Sequence, residues 1–331
     1  NHNIQKRQKE LELTIALTNY CNFSCVYCYQ NKNEKLMTTE VANMIIEKID
    51  RILNDNIFEG INIHYFGGEP LLNIPVLIYL DENIKKITDK IGIVYKAFLT
   101  TNGSMLSKEL LQKVKFSSIQ LTFDGLEKTH DRLRVSDHFH FKEEIELIEN
   151  IMNFSQAKVL LRTNICKENK DEIIALHKYI FEKFGNERIE INPNRTIKYH
   201  QDDSFEMLSV QEYAEVAYQI KLLWSEQKGK FELPVPRSTP CKFPYGNAYA
   251  ISPEGYCTFC SGSMDQEKKY FFDVDIENKK MFSVRKECKK CNILPLCLGG
   301  CIIQYNLRAG ACTYEKYELK NILISYIKHI S

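Results

Sequence analysis

Apolar and polar residues alternate from the start of the chain. Leu11, Leu13, Ile15 and Leu17 are separated by Glu12, Thr14, Ala16 and Thr18, the period of two that a β-strand requires. Thr38 or Thr39 then caps a helix carrying Val41, Ile45, Ile49 and Ile52 on one face. Strand patterns recur at Ile61–Phe66, Val94–Thr100, Ile119–Phe123, Val159–Ile165 and Ile189–Ile191, with helical patterns between them at roughly 75–90, 107–114, 142–154 and 171–184. Six strand–helix units in succession predict an α/β fold with a parallel sheet, because parallel neighbours need crossover helices. Six strands are too few for a closed eight-stranded barrel. A partial barrel or an open doubly wound sheet remains.

Residues 193–208, with Pro193, Asn194 and a polar run to Ser204, read as a linker. Ser209 to Glu226 reads as another amphipathic helix, ended by Leu233-Pro234-Val235-Pro236. After Pro240 the pattern changes to dense Cys, Gly and aromatic residues with few long helices, as in a small module whose thin apolar core needs staples. Ser252-Pro253-Glu254-Gly255 marks a hairpin turn. No repeat or low-complexity tract interrupts this order.

Charge excludes some classes of partner. The formal net charge is +1 with 26% charged residues, so neither a nucleic-acid-binding excess of basic residues nor a disordered acidic composition is present. No stretch of about 18 apolar residues predicts a membrane span. The first ten residues are polar and basic, unlike a secretory signal. These features predict a cytoplasmic enzyme without a membrane or nucleic-acid partner.

Cysteine changes the picture. Of the 12 cysteines, Cys21, Cys25 and Cys28 share one loop, eight lie from Cys241 to Cys312, and only Cys166 stands apart. Clustered cysteines in a large chain without a signal read as metal ligands, not disulfides. The C-x3-C-x2-C loop directly follows the first strand. Three thiolates can hold three irons of a cubane cluster and leave the fourth iron open for chemistry. Zinc is the alternative metal, but structural zinc usually takes four ligands in two pairs. Cys166 reads as a core residue.

The loop, with Tyr27 just before its last Cys, resembles the signature of the radical S-adenosylmethionine (SAM) superfamily. The resemblance runs from residue 11 to about 192. It implies a partial (β/α)6 TIM-like barrel in which Cys21, Cys25 and Cys28 carry the catalytic 4Fe–4S cluster. In that family the open iron binds the methionyl amino and carboxylate groups. One electron then breaks the sulfur–carbon bond and releases a 5′-deoxyadenosyl radical. Gly67-Gly68-Glu69-Pro70 looks like the family's Gly-Gly-Glu motif, in which the glycines admit the ligand and the carboxylate pairs with its ammonium. Thr100-Thr101-Asn102-Gly103 resembles the family's Thr-Asn-Gly turn, with Asn102 as a cofactor contact. Thr122-Phe123-Asp124-Gly125 resembles its Ser-x-Asp-Gly segment, with Thr122 keeping the hydroxyl and Asp124 the acid. Arg134 in His130-Asp131-Arg132-Leu133-Arg134 matches the arginine that pairs with the cofactor carboxylate, and Arg132 is its competitor. Tyr27 completes the implied cofactor contacts. Arg162 and Asn164, on the fifth strand, could point into the barrel mouth, but the structural reading is the stronger for both.

The C-terminal array Cys241-x13-Gly255-x4-Cys260 and Cys288-x2-Cys291-x5-Cys297-x3-Cys301, then Cys312, resembles the SPASM domain and its two auxiliary 4Fe–4S clusters. The resemblance implies Cys241, Cys260 and Cys301 for one cluster and Cys288, Cys291, Cys297 and Cys312 for the other. Counting adds Cys257 as the fourth ligand of the first set, although residues three apart on a strand face opposite ways. Three domains are implied: 1–200 the barrel, 201–236 a helical linker, and 237–331 the auxiliary-cluster domain. Zinc ribbons are the rival reading of the array.

The same resemblance implies a ribosomally made precursor peptide as substrate, modified by a cross-link or other oxidation. A sulfatase, oxidised to formylglycine, and alcohol dehydrogenation of a small molecule are the alternatives. Sulfatase-maturing enzymes usually carry another Cys shortly before the one matching Cys241, and Glu232 to Pro240 contains none. The expected reductant is a flavodoxin or ferredoxin. No leader-binding domain fits before Leu11, which leaves three readings: a separate leader-binding protein, a segment outside the given sequence, or no need of one.

Overall fold

The computed structural model describes residues 9–55, 58–185, 188–199, 204–231, 233–237, 241, 243, 247–258, 260–263, 269–274, 284–301 and 312–330. Parallel strands β1 (Glu10–Ala16), β2 (Gly60–Phe66), β3 (Val94–Thr100), β4 (Phe116–Thr122), β5 (Lys158–Ile165) and β6 (Ile189–Arg195) lie side by side in chain order. Between them run α1 (Thr39–Asp55), α2 (Ile74–Ile91), α3 (Lys108–Lys113), α4 (Glu127–Leu133), α5 (Phe141–Phe154) and α6 (Ile173–Phe184). The mostly parallel α/β sheet has the expected partial-barrel form.

Period two divides the strands. Ile61, Ile63 and Tyr65 of β2, Ile119 and Leu121 of β4, and Val159 and Leu161 of β5 are buried in the main core. The alternate positions His64, Phe66, Thr100, Gln120, Thr122, Arg162 and Asn164 line an interior cavity. Side chains of successive strand residues point to opposite faces, so one strand serves both. In β1, Thr14 and Ala16 are as buried as Ile15 because both faces of this strand are covered.

The expected linker begins later than its turn residues suggested. Pro193 and Asn194 belong to β6, paired with Thr163 and Asn164. Pro is tolerated there because, among the described residues, β6 is an edge strand with no further strand to receive its missing N–H. Residues 200–203 of that linker lie outside the described residues. Helix α7 (Val210–Lys228) starts at a Ser209 cap, reciprocated by Glu212.

The Ser252–Gly255 hairpin forms as expected, joining β7 (Ala248–Ile251) to β8 (Tyr256–Thr258), with β9 (Lys269–Tyr270) beyond. Strand β7 pairs parallel with β1, so the hairpin continues the barrel sheet. Past the short α8 (Leu294–Cys297) runs a long helix that the dense Cys pattern did not suggest, α9 (Glu315–Ile330). It packs on α7 through Lys221–Glu318 contacts at 2.7 and 2.8 Å and a Tyr213–Tyr314 edge contact. No helix among the described residues is long and apolar enough to cross a membrane.

Where α6 meets α7, His177 is fully buried. It accepts the Trp224 indole N–H at 3.0 Å, and its other nitrogen lies 3.2 Å from the Thr163 hydroxyl. Burial holds its pKa down at about 3. The unfolded chain therefore binds a proton near pH 6.5 that the folded chain refuses. The stability tied to neutral His177 is present above pH 6.5 and is lost as pH falls toward 3. Urea unfolding at about pH 7 and about pH 5.5 should show this loss, at most about 1.4 kcal/mol per pH unit. His177→Asn should flatten that dependence. An unchanged slope in the variant would assign the pH sensitivity elsewhere.

Candidate active site

The loop after β1 is held from several sides by backbone hydrogen bonds. Gly68 N–H donates to Thr18 O at 2.8 Å and Glu69 N–H to Tyr20 O at 2.9 Å. Across the loop, Ser24 N–H donates to Val135 O and Val26 N–H to Leu133 O. The two glycines are required by this contact. A Cβ on Gly67 would lie 2.4 Å from Thr18 O, and one on Gly68 would lie 2.1 Å from Tyr20 O. Gly67 also sits at φ +147°, which side chains disfavour. The glycines thus let one loop approach another, and both also line the cavity described below.

Glu69 is wholly buried and its carboxylate is taken up by protein. It accepts the Leu71 N–H at 2.9 Å, the Thr101 hydroxyl at 2.7 Å and the Asn102 N–H at 2.6 Å. Burial raises its pKa, and these donors oppose the rise. Glu69 therefore ties the end of β2 to the end of β3 instead of lining the cavity. Asn102 Nδ2 reaches back to Asn22 Oδ1 at 2.8 Å, on the cysteine loop.

Asp124 occupies a similar position at the end of β4. Its carboxylate accepts the Tyr27 hydroxyl and the Asn164 N–H, the latter at 2.7 Å. Burial raises its pKa. Like Glu69, it is a brace behind the cavity wall.

The wall itself encloses about 390 Å³ and includes Cys21, Cys25, Cys28, Tyr27, Gly67, Gly68, Asn102, Thr122 and Arg134. That volume lies in the range of small-molecule sites, roughly 300–1,000 Å³. Arg162 and Asn164, read from sequence as structural, also line it, as do His64, Gln120 and Tyr199. Their signal was present: each polar strand residue falls on the lumen phase of an otherwise apolar strand. Arg134, Arg162 and Arg195 all face the cavity, while none of its lining residues is Asp or Glu. The cavity is suited to an anion.

Arg134 separates from Arg132, which is exposed. Arg134 is buried, lies over the Phe23 ring at 5.4 Å, and its Nε has no hydrogen-bond partner among the described residues. Burial works against its charge, but nearby acidic groups raise its pKa above the ordinary arginine value. A charged donor left without a partner beside an acid-free cavity fits an anionic ligand group. The three thiols line this cavity together and lie close enough for their charges to act on one another. Burial pushes Cys25 up to about 11 and also raises Cys21, so loading metal must displace protons from them.

Among the described residues no three His, Cys, Asp or Glu side chains form a site for a single metal ion. Cys288, Cys291, Cys297 and Cys312 surround a cavity of about 20 Å³. Burial of Tyr199 raises its pKa, and Cys260 and Cys301, close enough to act on its charge, raise it further. Cys241 packs against Phe243, Ala248 and Ala250. Cys257, on β8, belongs to the main core, as do Tyr249 and Phe271, and Cys260 lies past the end of that strand. Cys166 is buried with Leu133 and Phe205.

The fold is thus an α/β partial barrel with a three-cysteine loop over an arginine-lined cavity. The model of the radical SAM superfamily matches residues 15–180, half of the chain, and the chain belongs to that superfamily. Membership implies a 4Fe–4S cluster and SAM. The chain is 24% identical to the radical SAM cyclopropyl synthase TigE of Paramaledivibacter caminithermalis, over 94% of this chain and 73% of that protein. It is 34% identical to the uncharacterized protein MJ0907 of Methanocaldococcus jannaschii, over 35% of this chain and 39% of that one. It spans about half the length of the GTP 3′,8-cyclases it matches, 53% for that of Helicobacter pylori. Its fold is similar to native anSMEcpe with bound AdoMet (TM-score 0.73, 18% identity, 97% of this chain and 100% of that one). It is also similar to Streptococcus suis SuiB bound to precursor peptide SuiA (TM-score 0.61, 17% identity, 92% and 75%).

Two outcomes test this geometry. Gly68→Ala should cost more than about 1 kcal/mol, because backbone must move, and should lower iron retained by the first loop. Iron analysis and thermal unfolding check it, and normal values for both would show that the loop contact is dispensable. Arg134→Ala should weaken SAM binding about 10- to 150-fold at unchanged iron content, while Arg132→Ala should not. Equilibrium dialysis distinguishes the two arginines.

Proposed function

We propose that this chain cleaves SAM reductively and uses the resulting radical to abstract hydrogen from a ribosomally made peptide, installing a cross-link or other oxidative modification. When bound at Cys21, Cys25 and Cys28, the cluster supplies the electron that breaks the sulfur–carbon bond. Arg134 receives the methionyl carboxylate. Thr122 and Asn102 face the same ligand, and Glu69 and Asp124 hold the walls in place. Hydrogen transfer yields 5′-deoxyadenosine and a substrate radical. Closing the product then releases one further electron and one proton, so the enzyme needs an acceptor beside the substrate.

One observation carries this reading: Ser261, next to Cys260, lines the same cavity as Cys21, Cys25 and Cys28. We assign Cys241, Cys260 and Cys301 to one auxiliary cluster and Cys288, Cys291, Cys297 and Cys312 to a second. The domains in this reading are 1–200, 201–236 and 237–331, in a cytoplasmic enzyme served by a flavodoxin or ferredoxin. The likeness of the fold to SuiB, solved with its precursor peptide, supports a peptide substrate. A sulfatase segment is the competing substrate.

Anaerobically reconstituted protein should bind about twelve irons, as three clusters, and release 5′-deoxyadenosine with dithionite. Cys291→Ala should lose about four irons yet still cleave SAM. Its modified peptide per 5′-deoxyadenosine, counted by mass spectrometry, should fall steeply. Iron near four in the wild type would sink the auxiliary-cluster assignment. Formylglycine on a sulfatase peptide, with none of the candidate precursor peptides modified, would move the substrate to the competing class.

A further inference from the structure

The cavity ringed by Cys288, Cys291, Cys297 and Cys312 also has Arg285 and Lys316 in its wall. Both cations reach sulfur. Arg285 Nη2 donates to Cys288 Sγ at 3.7 Å and to the Gly299 carbonyl at 2.6 Å. Lys316 Nζ donates to Cys312 Sγ at 3.9 Å. The Arg285 side chain is only 20% exposed, and its acidic neighbour Glu287, 3.8 Å away, is 63% exposed. Lys316 is exposed. Neither cation lines the barrel cavity.

We infer that Arg285, assisted by Lys316, raises the reduction potential of the cluster held by these four cysteines and so makes it the better electron acceptor. This rests on the reading that the four thiolates hold a 4Fe–4S cluster. Reduction adds one electron to the cluster and changes none of its ligands. Part of the added charge resides on sulfur, so an N–H donor and a cation at sulfur stabilise the reduced form more than the oxidised one. Arg285 should dominate because it is largely buried and weakly screened by salt, whereas Lys316 sits in solvent. The planar guanidinium also holds sulfur and carbonyl together, which fixes its position.

The test is a potentiometric titration of the full reconstituted chain, with dithionite supplying the electrons and electron paramagnetic resonance reading each cluster. Iron is counted first. Arg285→Gln should keep its iron while the midpoint of one cluster moves to more negative potential. Lys316→Gln should move the same midpoint less, and Arg285→Lys should restore most of the wild-type value because charge is kept. If Arg285→Gln loses iron, Lys316→Gln and Arg285→Lys carry the test, since an exposed lysine and a conserved charge leave the fold intact. Full iron with wild-type midpoints in all variants would overturn the inference. If wild-type iron is about four short of twelve and Cys291→Ala lowers it no further, the underlying cluster assignment fails instead.

Discussion

Two loops touch where no side chain can fit, and the site depends on that contact. Gly67 and Gly68 bring the end of β2 against the carbonyls of Thr18 and Tyr20, at separations that exclude a Cβ. The backbone hydrogen bonds from Gly68 and Glu69 then fix the segment entering Cys21. From there the bracing spreads outward. Glu69 binds the Thr101–Asn102 turn, Asn102 returns to Asn22 on the cysteine loop, and Tyr27 on the same loop binds Asp124. Three strand ends are thus locked to one loop by buried carboxylates whose donors oppose the cost of burial. Thiols that must hold a cluster need such a frame, because a loop positions groups less well than the strands around it.

The electrostatics follow from the same division of labour. Carboxylates stand behind the wall and guanidinium groups face the cavity. Arg195 spends a donor on the Leu208 carbonyl and Arg162 on Asn164, while the Arg134 Nε is unspent. Keeping such guanidinium groups buried costs desolvation, which a carboxylate partner would offset. Glu144 and His130, buried together at 3.1 Å behind Arg134, place a further acid near that charge.

Much of this was legible in the chain. The six parallel strands came from period two, and five of the helices between them from apolar spacing and caps. The cysteine loop announced itself by spacing. Harder to read were reasons and partners. Gly-Gly-Glu stood out as a motif, but sequence cannot tell a glycine that admits a ligand from one that admits a neighbouring backbone. Pro193 looked like a break because edge status, which permits it, is a property of the finished sheet. The burial of Cys257 in the main core is likewise set by the β7–β8 pairing, which the cysteine count does not show. Arg162 and Asn164 lay on the lumen phase in plain view. Their phase acquires meaning only when neighbouring strands show polar residues at the same level.

The sheet also explains how two distant stretches of sequence meet at one cavity. Strand β7 pairs with β1 in parallel register, Ile15 beside Ile251. Both strands therefore end at the same rim. Past β1 the chain enters the Thr18–Cys28 loop; past β7 it turns through Ser252–Gly255 and returns to Cys260 and Ser261. Lys35, beyond the cysteine loop, meets Glu254 in that turn. An antiparallel β7 would have carried its exit to the opposite end of the barrel, away from Cys21. Parallel addition at this edge, and not at β6, is what brings Cys260 next to the cavity, and it makes the barrel edge itself the joint between the two cysteine-bearing regions.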